Sequence, residues 1–415
     1  MRLIYSLGVR LYGAVIRTIS PFNSKAHKWV AGRRNWEKRY REILRDCEGA
    51  VWMHCASLGE FEQGRPVLEA VKAQYPNRKI VLSFYSPSGY EIRKDWKGAD
   101  AVIYLPLDTP SNARKLVSMM KPSLAIWVKY EFWYHHFQAL RAERVPLILV
   151  SGIFRPSQVF FKPWGAWFRK QLKQMDALFV QTEDSRELLK QHGIPSKVAG
   201  DTRFDRVITL AENAHSVDPV KGFVNDQPCL VMGSSWGPDE KLMASYLAKD
   251  PELKVVVVPH EVNEGHIESI ESLFEGKSIR YSQLTPASPE CQVLIVDQIG
   301  LLGRIYKEAD ITYIGGGFGA GIHNTLEAAA YGVPVVFGPK YQKFNEAIGL
   351  IKEGAAWSIN DQSSFDKVIN RLRTDEVQRR EAGAKASMFV TTHAGATGMV
   401  MDMIGARMRA LDGAT

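Results

Sequence analysis

The sequence predicts an α/β protein with two doubly wound domains, each built on a parallel sheet that is covered by helices on both faces. From residue 50 onward, apolar runs of about five residues alternate with helix-forming stretches, a pattern typical of buried parallel strands. The chain has 415 residues, which is long for a single hydrophobic core. The periodicity fades over residues 206–226, so we predict an interdomain linker there.

The apolar runs give twelve predicted strands. In a first domain over residues 46–205 they are 50–56, 79–84, 101–105, 124–128, 146–150, 176–180 and 197–199. In a second domain over residues 227–394 they are 229–232, 254–258, 293–296, 311–314 and 335–337. Ligands of such sheets bind at the carboxyl ends of the strands, so the loops at those ends are where we expect functional residues.

The composition is that of a folded protein from a reducing compartment. Hydrophobic residues make up 45% of the chain and charged residues 24%, which are ordinary values. The four cysteines form no CxxC pair, so we predict neither a disulfide framework nor a zinc site. The sequence has no HExxH or EF-hand spacing, and we therefore expect no protein-bound metal.

The net positive charge of the chain comes from its N-terminal segment. The chain carries a net charge of +8, and residues 1–45 hold eleven Lys and Arg residues against Glu37 and Glu42. The remainder is about neutral, which argues against a nucleic-acid partner. Arg10 and Arg17 interrupt an apolar stretch over residues 1–22, so we expect a basic amphipathic helix on an anionic membrane surface rather than a spanning helix. The alternative is a first helix packed on the core with a solvated basic face.

A glycine-rich turn joins the predicted strand 311–314 to a helix that begins near His323. Its backbone N–H groups and the helix N-terminus predict an anion site, either phosphate or sugar nucleotide. The candidate residues are Gly315, Gly316, Gly317, Gly321, His323, Asn324 and Glu327. The spacing fits neither the dinucleotide fingerprint nor the P-loop. The alternative is that Asn324 caps the helix, with Glu327 reaching back to it.

The loop HCASLGEFEQGRP places Glu60 in the first turn of a helix after a strand. There the helix dipole should lower the carboxyl pKa and keep Glu60 ionised, as a general base requires. The alternative is a capping box formed by Ser57 and Glu60.

Other polar residues also follow predicted strands. Glu131 is a candidate for substrate binding, with a solvated helix start as the alternative. Arg155 and Arg203 are candidates for holding an acidic group, and a structural salt bridge is the alternative for Arg155.

In the second domain, three further candidates follow strands. Ser234 and Ser235 are possible phosphate ligands or N-cap residues. His260 is a candidate for contact with a base or phosphate, and the alternative is that it is a loop histidine without a functional role.

Taken in order, four motifs resemble those of the 3-deoxy-D-manno-octulosonic acid (Kdo) transferases. HCASLGE resembles the loop that carries the catalytic glutamate, here Glu60, and VKYEFW resembles a segment with a supporting acidic residue, here Glu131. GDTRFD is similar to the family's Gly-Asn-x-Lys-Phe-Asp, and GGGFGAGIHNTLEAA to its donor loop. Glu346 matches a further family position.

The resemblance implies a GT-B fold, with two Rossmann-like domains facing a central cleft and a segment over residues 395–415 that crosses back to the first domain. It implies an inverting glycosyltransferase of lipopolysaccharide synthesis at the cytoplasmic face of the inner membrane, with CMP-Kdo as donor, a lipid A precursor as acceptor, and no metal or cofactor. The alternatives are another GT-B transferase or epimerase that uses a UDP-sugar, and a non-catalytic peripheral membrane protein.

Overall fold

The computed structural model describes residues 1–129, 131–250, 252–274, 276–285 and 291–412. The chain divides into two compact units. Unit 1 comprises Met1–Arg203 together with Ala394–Thr415, and unit 2 comprises Phe204–His393. Because the first and last segments belong to the same unit, unit 2 is an insertion in the sequence of unit 1.

Within the described residues, unit 1 contains a sheet of seven parallel strands. They are β1 (Val51–Cys55), β2 (Ile80–Phe84), β3 (Ala101–Tyr104), β4 (Leu124–Val128), β5 (Leu147–Gly152), β6 (Ala177–Val180) and β7 (Lys197–Val198). Their order across the sheet is β3-β2-β1-β4-β5-β6-β7. Val51 of β1 aligns with Ile80 on one side and with Leu124 on the other. The chain thus winds outward from β1 in one direction and from β4 in the other, which is the doubly wound topology.

Helices cover both faces of this sheet. They are α1 (Arg2–Ile19), α2 (Ser24–Arg33), α3 (Trp36–Ile43), α4 (Leu58–Gln74), α5 (Pro87–Arg93), α6 (Pro110–Met120), α7 (Tyr134–Ala142), α8 (Ala166–Leu172), α9 (Glu183–Gln191) and, after unit 2, α19 (Ala396–Asp412). Successive residues of β1 enter different apolar clusters: Val51 and Met53 lie in one, and Trp52 lies in the other. Burial of both faces explains why the strands read as uninterrupted apolar runs.

Unit 2 repeats this architecture with a different strand order. Its strands are β8 (Cys229–Ser235), β9 (Lys254–Pro259), β10 (Ser278–Arg280), β11 (Val293–Ile295), β12 (Ile311–Ile314), β13 (Val335–Phe337) and β14 (Ala356–Ser358). They are parallel and lie in the order β10-β11-β9-β8-β12-β13-β14. The helices from residue 203 to residue 392 are α10 (Arg203–Glu212), α11 (Asp218–Val224), α12 (Gly237–Leu247), α13 (Glu264–Leu273), α14 (Leu302–Ile305), α15 (Leu326–Ala330), α16 (Asn345–Lys352), α17 (Gln362–Thr374) and α18 (Glu376–Thr392).

The predicted fold class is confirmed, and all twelve predicted strands are present. Two short strands, β10 and β14, were not predicted. The prediction of a linker over residues 206–226 is wrong, because α10 and α11 occupy most of this stretch. Val207, Val220 and Phe223 are buried there, so the segment contributes to a core even though it has no continuous periodicity. The predicted C-terminal helix is α19, which belongs to unit 1.

Helix α1 contacts the rest of unit 1 through one face only. The Tyr5 hydroxyl donates to Asp108 Oδ2 at 2.6 Å, and Ser6 Oγ lies 2.8 Å from His135 Nε2. The leucines of the predicted apolar stripe point elsewhere: Leu3, Leu7 and Leu11 are 84%, 69% and 64% exposed. Among the described residues, none of the helices has both the length and the apolar character needed to cross a bilayer.

Asp108 is the buried group to which α1 is attached. Its Oδ1 accepts from His136 N at 2.9 Å and lies 2.5 Å from His136 Nδ1, while Oδ2 accepts from His135 N at 3.0 Å. Burial opposes ionisation of Asp108, but the bonds from His136, Tyr5 and the backbone outweigh it and leave its pKa below the usual value. The carboxylate therefore joins α1 to the start of α7.

Candidate functional site

The two candidate catalytic carboxylates follow neighbouring strands of unit 1. Glu60 lies in the first turn of α4, directly after β1, and Glu131 follows β4. The strands β1 and β4 are paired, but the sheet continues through β2 on one side and through β5 on the other. This reversal of winding is the position at which doubly wound sheets open a crevice for a ligand.

Glu60 is nearly buried, with 7% of the residue exposed. Its Oε2 accepts a hydrogen bond of 2.5 Å from Ala56 N. Burial raises the pKa of Glu60 to about 7, although the hydrogen bond from Ala56 N–H lowers it. Two charged neighbours have smaller effects: Glu131 raises the pKa and Lys129 lowers it. The prediction that the helix N-terminus lowers this pKa is therefore wrong, because lost hydration outweighs the dipole. A carboxyl group with this pKa exchanges a proton readily near neutral pH.

The predicted alternative for Glu60, a capping box, does not form. Ser57 is the N-cap residue of α4, but its side chain makes no capping hydrogen bond. Glu60 reaches back to the N–H of Ala56 rather than to that of Ser57. The carboxyl group thus has one backbone donor and remains at the carboxyl edge of the sheet.

A buried chain of hydrogen bonds leads to Glu131. Trp52 Nε1 donates to Ser83 Oγ at 2.8 Å, Ser83 Oγ lies 2.9 Å from His54 Nδ1, and His54 Nε2 lies 3.2 Å from Glu131 Oε2. Burial lowers the pKa of His54, so the ring is neutral. The arrangement assigns its proton to Nε2, which donates to Glu131, while Nδ1 accepts from the Ser83 hydroxyl. Trp133 Nε1 also donates to Glu131 Oε2, at 3.1 Å.

The Glu131 carboxylate is therefore fixed by hydrogen bonds to His54 and Trp133, and the predicted alternative of a solvated first residue of a helix is not seen. Its side chain is 25% exposed, and α7 begins only at Tyr134. Sequence reasoning missed His54 and Ser83, although each is a polar residue within an otherwise apolar strand, and that interruption was the available signal.

A pocket of about 430 Å³ in unit 1 includes Glu131 in its wall. Its other walls come mainly from aromatic and aliphatic side chains, among them Tyr12, Ile16, Trp29 and Tyr85. Among the described residues, the pocket thus has a mainly apolar lining with one carboxylate, Glu131, and one ammonium group, Lys25, a combination that suits an amphiphilic ligand.

The two candidate arginines have different surroundings. Arg155 lies after β5, is exposed, and makes no side-chain hydrogen bond or ion pair within the described residues, so the predicted alternative of a salt bridge is not seen. Arg203 Nε and Nη2 donate to Asp201 Oδ2 at 3.0 and 2.8 Å. Asp201 also accepts from Gln63 Nε2 of α4 at 2.9 Å. The Arg203 guanidinium is thus engaged by a carboxylate of its own motif.

In unit 2 the candidate donor residues also gather where the winding reverses. Ser234 and Ser235 are the last two residues of β8 and Trp236 follows them, His260 follows β9, and the glycine-rich turn follows β12. The strand β8 pairs with both β9 and β12. These three loops therefore lie side by side at one edge of the sheet.

The glycine-rich turn uses many of its amides internally. Gly316 N donates to Asp239 Oδ2 at 3.0 Å, Gly319 N and Gly321 N donate to Gly316 O, and His323 N donates to Gly315 O. Together with Gly315 N, which donates to Gly233 O, four of the seven amides over residues 315–321 have protein acceptors, so anion binding by this turn stays a prediction with fewer N–H groups to carry it. Buried Asp239 also accepts from Tyr313 OH at 2.8 Å and fixes the turn.

Two glycines are required by the path of this turn. A Cβ on Gly315 would lie 2.3 Å from the carbonyl oxygen of Ser234. Gly316 has φ +91°, a conformation that side chains disfavour. The glycines serve close packing of the β8 and β12 loops rather than approach to a ligand.

Three aromatic rings stack at this edge of unit 2. His260 lies 4.2 Å from His323 and 4.9 Å from Trp236, measured between ring centroids. Trp236 Nε1 donates to His323 Nε2 at 3.1 Å. Burial, with a smaller effect of His260, lowers the pKa of His323 to about 4. His323 is thus neutral, and because Nε2 accepts, its proton lies on Nδ1. Trp236 was missed by sequence reasoning.

The serines differ in availability. Ser235 is fully buried, and its hydroxyl donates to Glu240 Oε1 at 2.8 Å, so it is neither a free phosphate ligand nor the N-cap of α12, which is Trp236. Ser234 is partly exposed and has φ +53°, which is strained for a residue with a side chain.

The remaining donor candidates lie around α15 and α16. The helix α15 has only five residues and begins at Leu326, later than the predicted start near His323. Asn324 accepts from Leu326 N at 3.1 Å and donates to Glu327 Oε1 at 2.9 Å, so these two residues brace each other. Glu346 is buried in the first turn of α16. Within the described residues, no group of three or more His, Cys, Asp or Glu side chains could hold a metal ion.

Residues 34–206 match the family model described as 3-deoxy-D-manno-octulosonic-acid transferase. The chain is 28% identical to the 3-deoxy-D-manno-octulosonic acid transferase of Aquifex aeolicus over 80% of this chain and 88% of the relative. It is 24% identical to the enzyme of the same name from Bordetella pertussis over 85% of this chain and 86% of the relative.

Solved structures with the same fold are more distant in sequence. The UDP-GlcNAc 2-epimerase of Neisseria meningitidis, bound to UDP-GlcNAc, has a TM-score of 0.60 at 14% identity and covers 86% of this chain and 99% of its own. MnaA of S. aureus, in complex with UDP, has a TM-score of 0.56 at 14% identity and covers 87% of this chain and 97% of its own. The fold is of the GT-B type. The sequence similarity, in contrast, is to proteins named 3-deoxy-D-manno-octulosonic acid transferase, at 28% and 24% identity over most of the chain.

Proposed function

We propose that this protein transfers Kdo from CMP-Kdo to a lipid A precursor in lipopolysaccharide synthesis. The observation that carries the proposal is the buried Glu60 carboxyl, whose pKa is about 7, at the carboxyl end of β1. Similarity to the Kdo transferases supports the choice of donor, because these relatives are named as transferases of this sugar. A group of this kind is suited to accept a proton from a sugar hydroxyl at neutral pH.

In the proposed reaction, Glu60 takes the proton of an acceptor hydroxyl as the oxygen attacks the anomeric carbon of Kdo. The bond between that carbon and the phosphate oxygen of CMP breaks on the opposite face, which inverts the configuration. Glu131, held by His54 and Trp133, orients the acceptor. Its negative charge also disfavours ionisation of Glu60 and so strengthens Glu60 as a base.

The CMP leaving group carries a single phosphate. Because many amides of the glycine-rich turn are already engaged, we assign its recognition chiefly to side chains. His323 would donate through Nδ1, and His260 and Ser234 lie at the same edge of the unit 2 sheet. Glu327 would bind the ribose hydroxyls, and Glu346 is the remaining residue that we assign to donor binding. The proposal requires no protein-bound metal or cofactor.

We also propose that the protein lies peripherally on the cytoplasmic face of the inner membrane. The exposed leucines of α1 and the neighbouring Arg10 and Arg17 support this, because an apolar stripe flanked by cations suits an anionic bilayer surface. Replacing Leu3, Leu7 and Leu11 by serine should abolish flotation with phosphatidylglycerol-containing liposomes. The matched control replaces Val377 and Met388, exposed apolar residues of unit 2, and should float normally.

The decisive experiment combines the purified protein with radiolabelled CMP-Kdo and a tetraacylated lipid A precursor. Label should move to the lipid, and the product mass should increase by whole Kdo residues. In a thermal-shift assay, CMP should stabilise the protein more than UDP does. Stabilisation by UDP alone would instead favour a UDP-sugar enzyme, and absence of transfer to lipid would refute the proposed activity.

A further inference from the structure

Unit 1 contains a second and larger cavity, of about 740 Å³, that the proposed reaction does not use. It is bounded by the last turn of α1, by α2, and by the residues between α2 and α3. Its volume is within the usual range for sites that bind small molecules.

The lining of this cavity is strongly cationic. Arg17, Arg33, Arg34 and His27 contribute to it, and no carboxylate does so among the described residues. With three guanidinium groups and no counter-charge, the cavity favours an anion. Arginine in particular suits phosphate, because its planar fork can donate two parallel hydrogen bonds.

The three arginines do not have the same role. Arg33 is committed to the protein: it donates to Leu105 O at 2.8 Å and to Tyr85 O at 2.7 Å, and it stacks over Trp29 at 3.9 Å. Arg17 and Arg34 are exposed, and within the described residues their side chains make no hydrogen bond or ion pair. The guanidinium groups of Arg17 and Arg34 are thus available to bind a ligand, whereas Arg33 fixes the adjoining part of the cavity lining through its contacts with the protein.

Trp29 provides a second, independent indication of a ligand. It is 6% exposed, and its indole Nε1 is buried without a hydrogen-bond acceptor. Most buried polar atoms have a partner, so this donor lacks one that a bound group could provide. Trp29 also lines the neighbouring apolar pocket that includes Glu131, so the two cavities share this side chain.

We propose that the cationic cavity binds a phosphate monoester on the sugar headgroup of an amphiphile, namely the acceptor glycolipid. This rests on the proposed function, since it treats the pocket with Glu131 as the acceptor site. A headgroup whose hydroxyl is near Glu131 would extend its phosphate past Trp29 to Arg17 and Arg34. The cavity then selects phosphorylated acceptors and fixes their orientation.

The test compares two double variants with the same change in net charge. Arg17→Gln with Arg34→Gln removes the free cations of the cavity. The control, Arg41→Gln with Arg45→Gln, removes exposed arginines at the end of α3 and just beyond it that do not line the cavity. In uncharged detergent micelles, the first pair should raise KM for the phosphorylated acceptor at least about tenfold, because two charge-assisted contacts are lost. The control should leave KM unchanged, and with a dephosphorylated acceptor the two pairs should behave alike. Equal effects of the two pairs on the phosphorylated acceptor would overturn the proposal.

A binding measurement separates failure of this site from failure of the proposed activity. In equilibrium dialysis, labelled glucosamine 1-phosphate should bind wild type and the control pair but not the cavity pair, whether or not the preparation transfers Kdo. Equal binding of inorganic phosphate would reject a sugar headgroup as the ligand. Tighter binding of dihexanoyl phosphatidylglycerol would assign the cavity to membrane phospholipid and also contradict the proposal. Circular dichroism and melting curves of both variants establish that each is folded.

Discussion

Replacing Glu60 by glutamine should have opposite effects on activity and on stability. The amide keeps the shape of the side chain, and its oxygen can still accept from Ala56 N. It cannot accept a proton from the substrate. Turnover should therefore fall at least about 100-fold, the usual scale for loss of a general base, while binding of CMP-Kdo is retained.

The stability change follows from the pKa. In the folded protein the Glu60 pKa is about 7, against an ordinary value of 4.5. A raised carboxyl pKa means that ionised Glu60 is disfavoured in the folded protein relative to the unfolded chain. The resulting loss of folding stability is absent below pH 4.5 and complete above pH 7. At about 1.4 kcal/mol per pH unit, this amounts to at most about 3.5 kcal/mol. The glutamine variant should therefore be more stable than wild type at pH 8.5 and no more stable at pH 4.5.

Urea unfolding at the two pH values measures the stability difference, and Kdo transfer measures the activity. In wild type, kcat/KM should also fall about tenfold per pH unit below pH 7 as the base is protonated. The control is Glu69→Gln, an exposed position of α4 paired with Arg65, which should change neither quantity appreciably. Near-normal turnover of the Glu60 variant, or equal stability of variant and wild type at pH 8.5, would refute the reasoning.

Two further predictions concern groups that position other residues. Trp236→Phe keeps the stacked ring but removes the donor to His323 Nε2. The His323 pKa, measured by NMR titration, should therefore rise above about 4, and KM for CMP-Kdo should increase. An unchanged His323 pKa would show that the indole N–H does not set the protonation of His323. Asp108→Asn should destabilise the fold by about 1.5–3 kcal/mol, because the buried carboxylate accepts hydrogen bonds from Tyr5, His135 and His136 that an amide cannot all keep. Since the Asp108 pKa is lowered by folding, the difference in urea unfolding should be present at pH 7 and diminish below pH 4; a constant difference would contradict this.

Much of the fold could be predicted from sequence because parallel strands are buried on both faces. The residues of β1, β4 and β5 are apolar at successive positions, and their pattern needs no knowledge of neighbours. The missed strands, Ser278–Arg280 and Ala356–Ser358, have three residues each and are only partly buried. They form at the edges of the unit 2 sheet, where pairing with a neighbour rather than local sequence decides the conformation.

The candidate site was predictable in its location but not in its electrostatics. The order of the elements puts Glu60, Glu131 and the glycine-rich turn at carboxyl edges, and this follows from topology. The pKa of Glu60 depends on how much water its carboxyl loses, and the engagement of the Gly316 amide depends on Asp239, which lies 77 positions away in sequence. Contacts between residues distant in sequence leave no local pattern.

The helix α19 has a consequence for how the protein is made. Val400, Ile404 and Met408 enter the same buried cluster as Phe61 and Val67 of α4, the helix that carries Glu60. A ribosome must therefore synthesise all of unit 2 before the scaffold beneath this carboxyl can close. Unit 2 can assemble its own sheet during synthesis, whereas the base for the proposed transfer gains its full support only from a helix that is synthesised after unit 2.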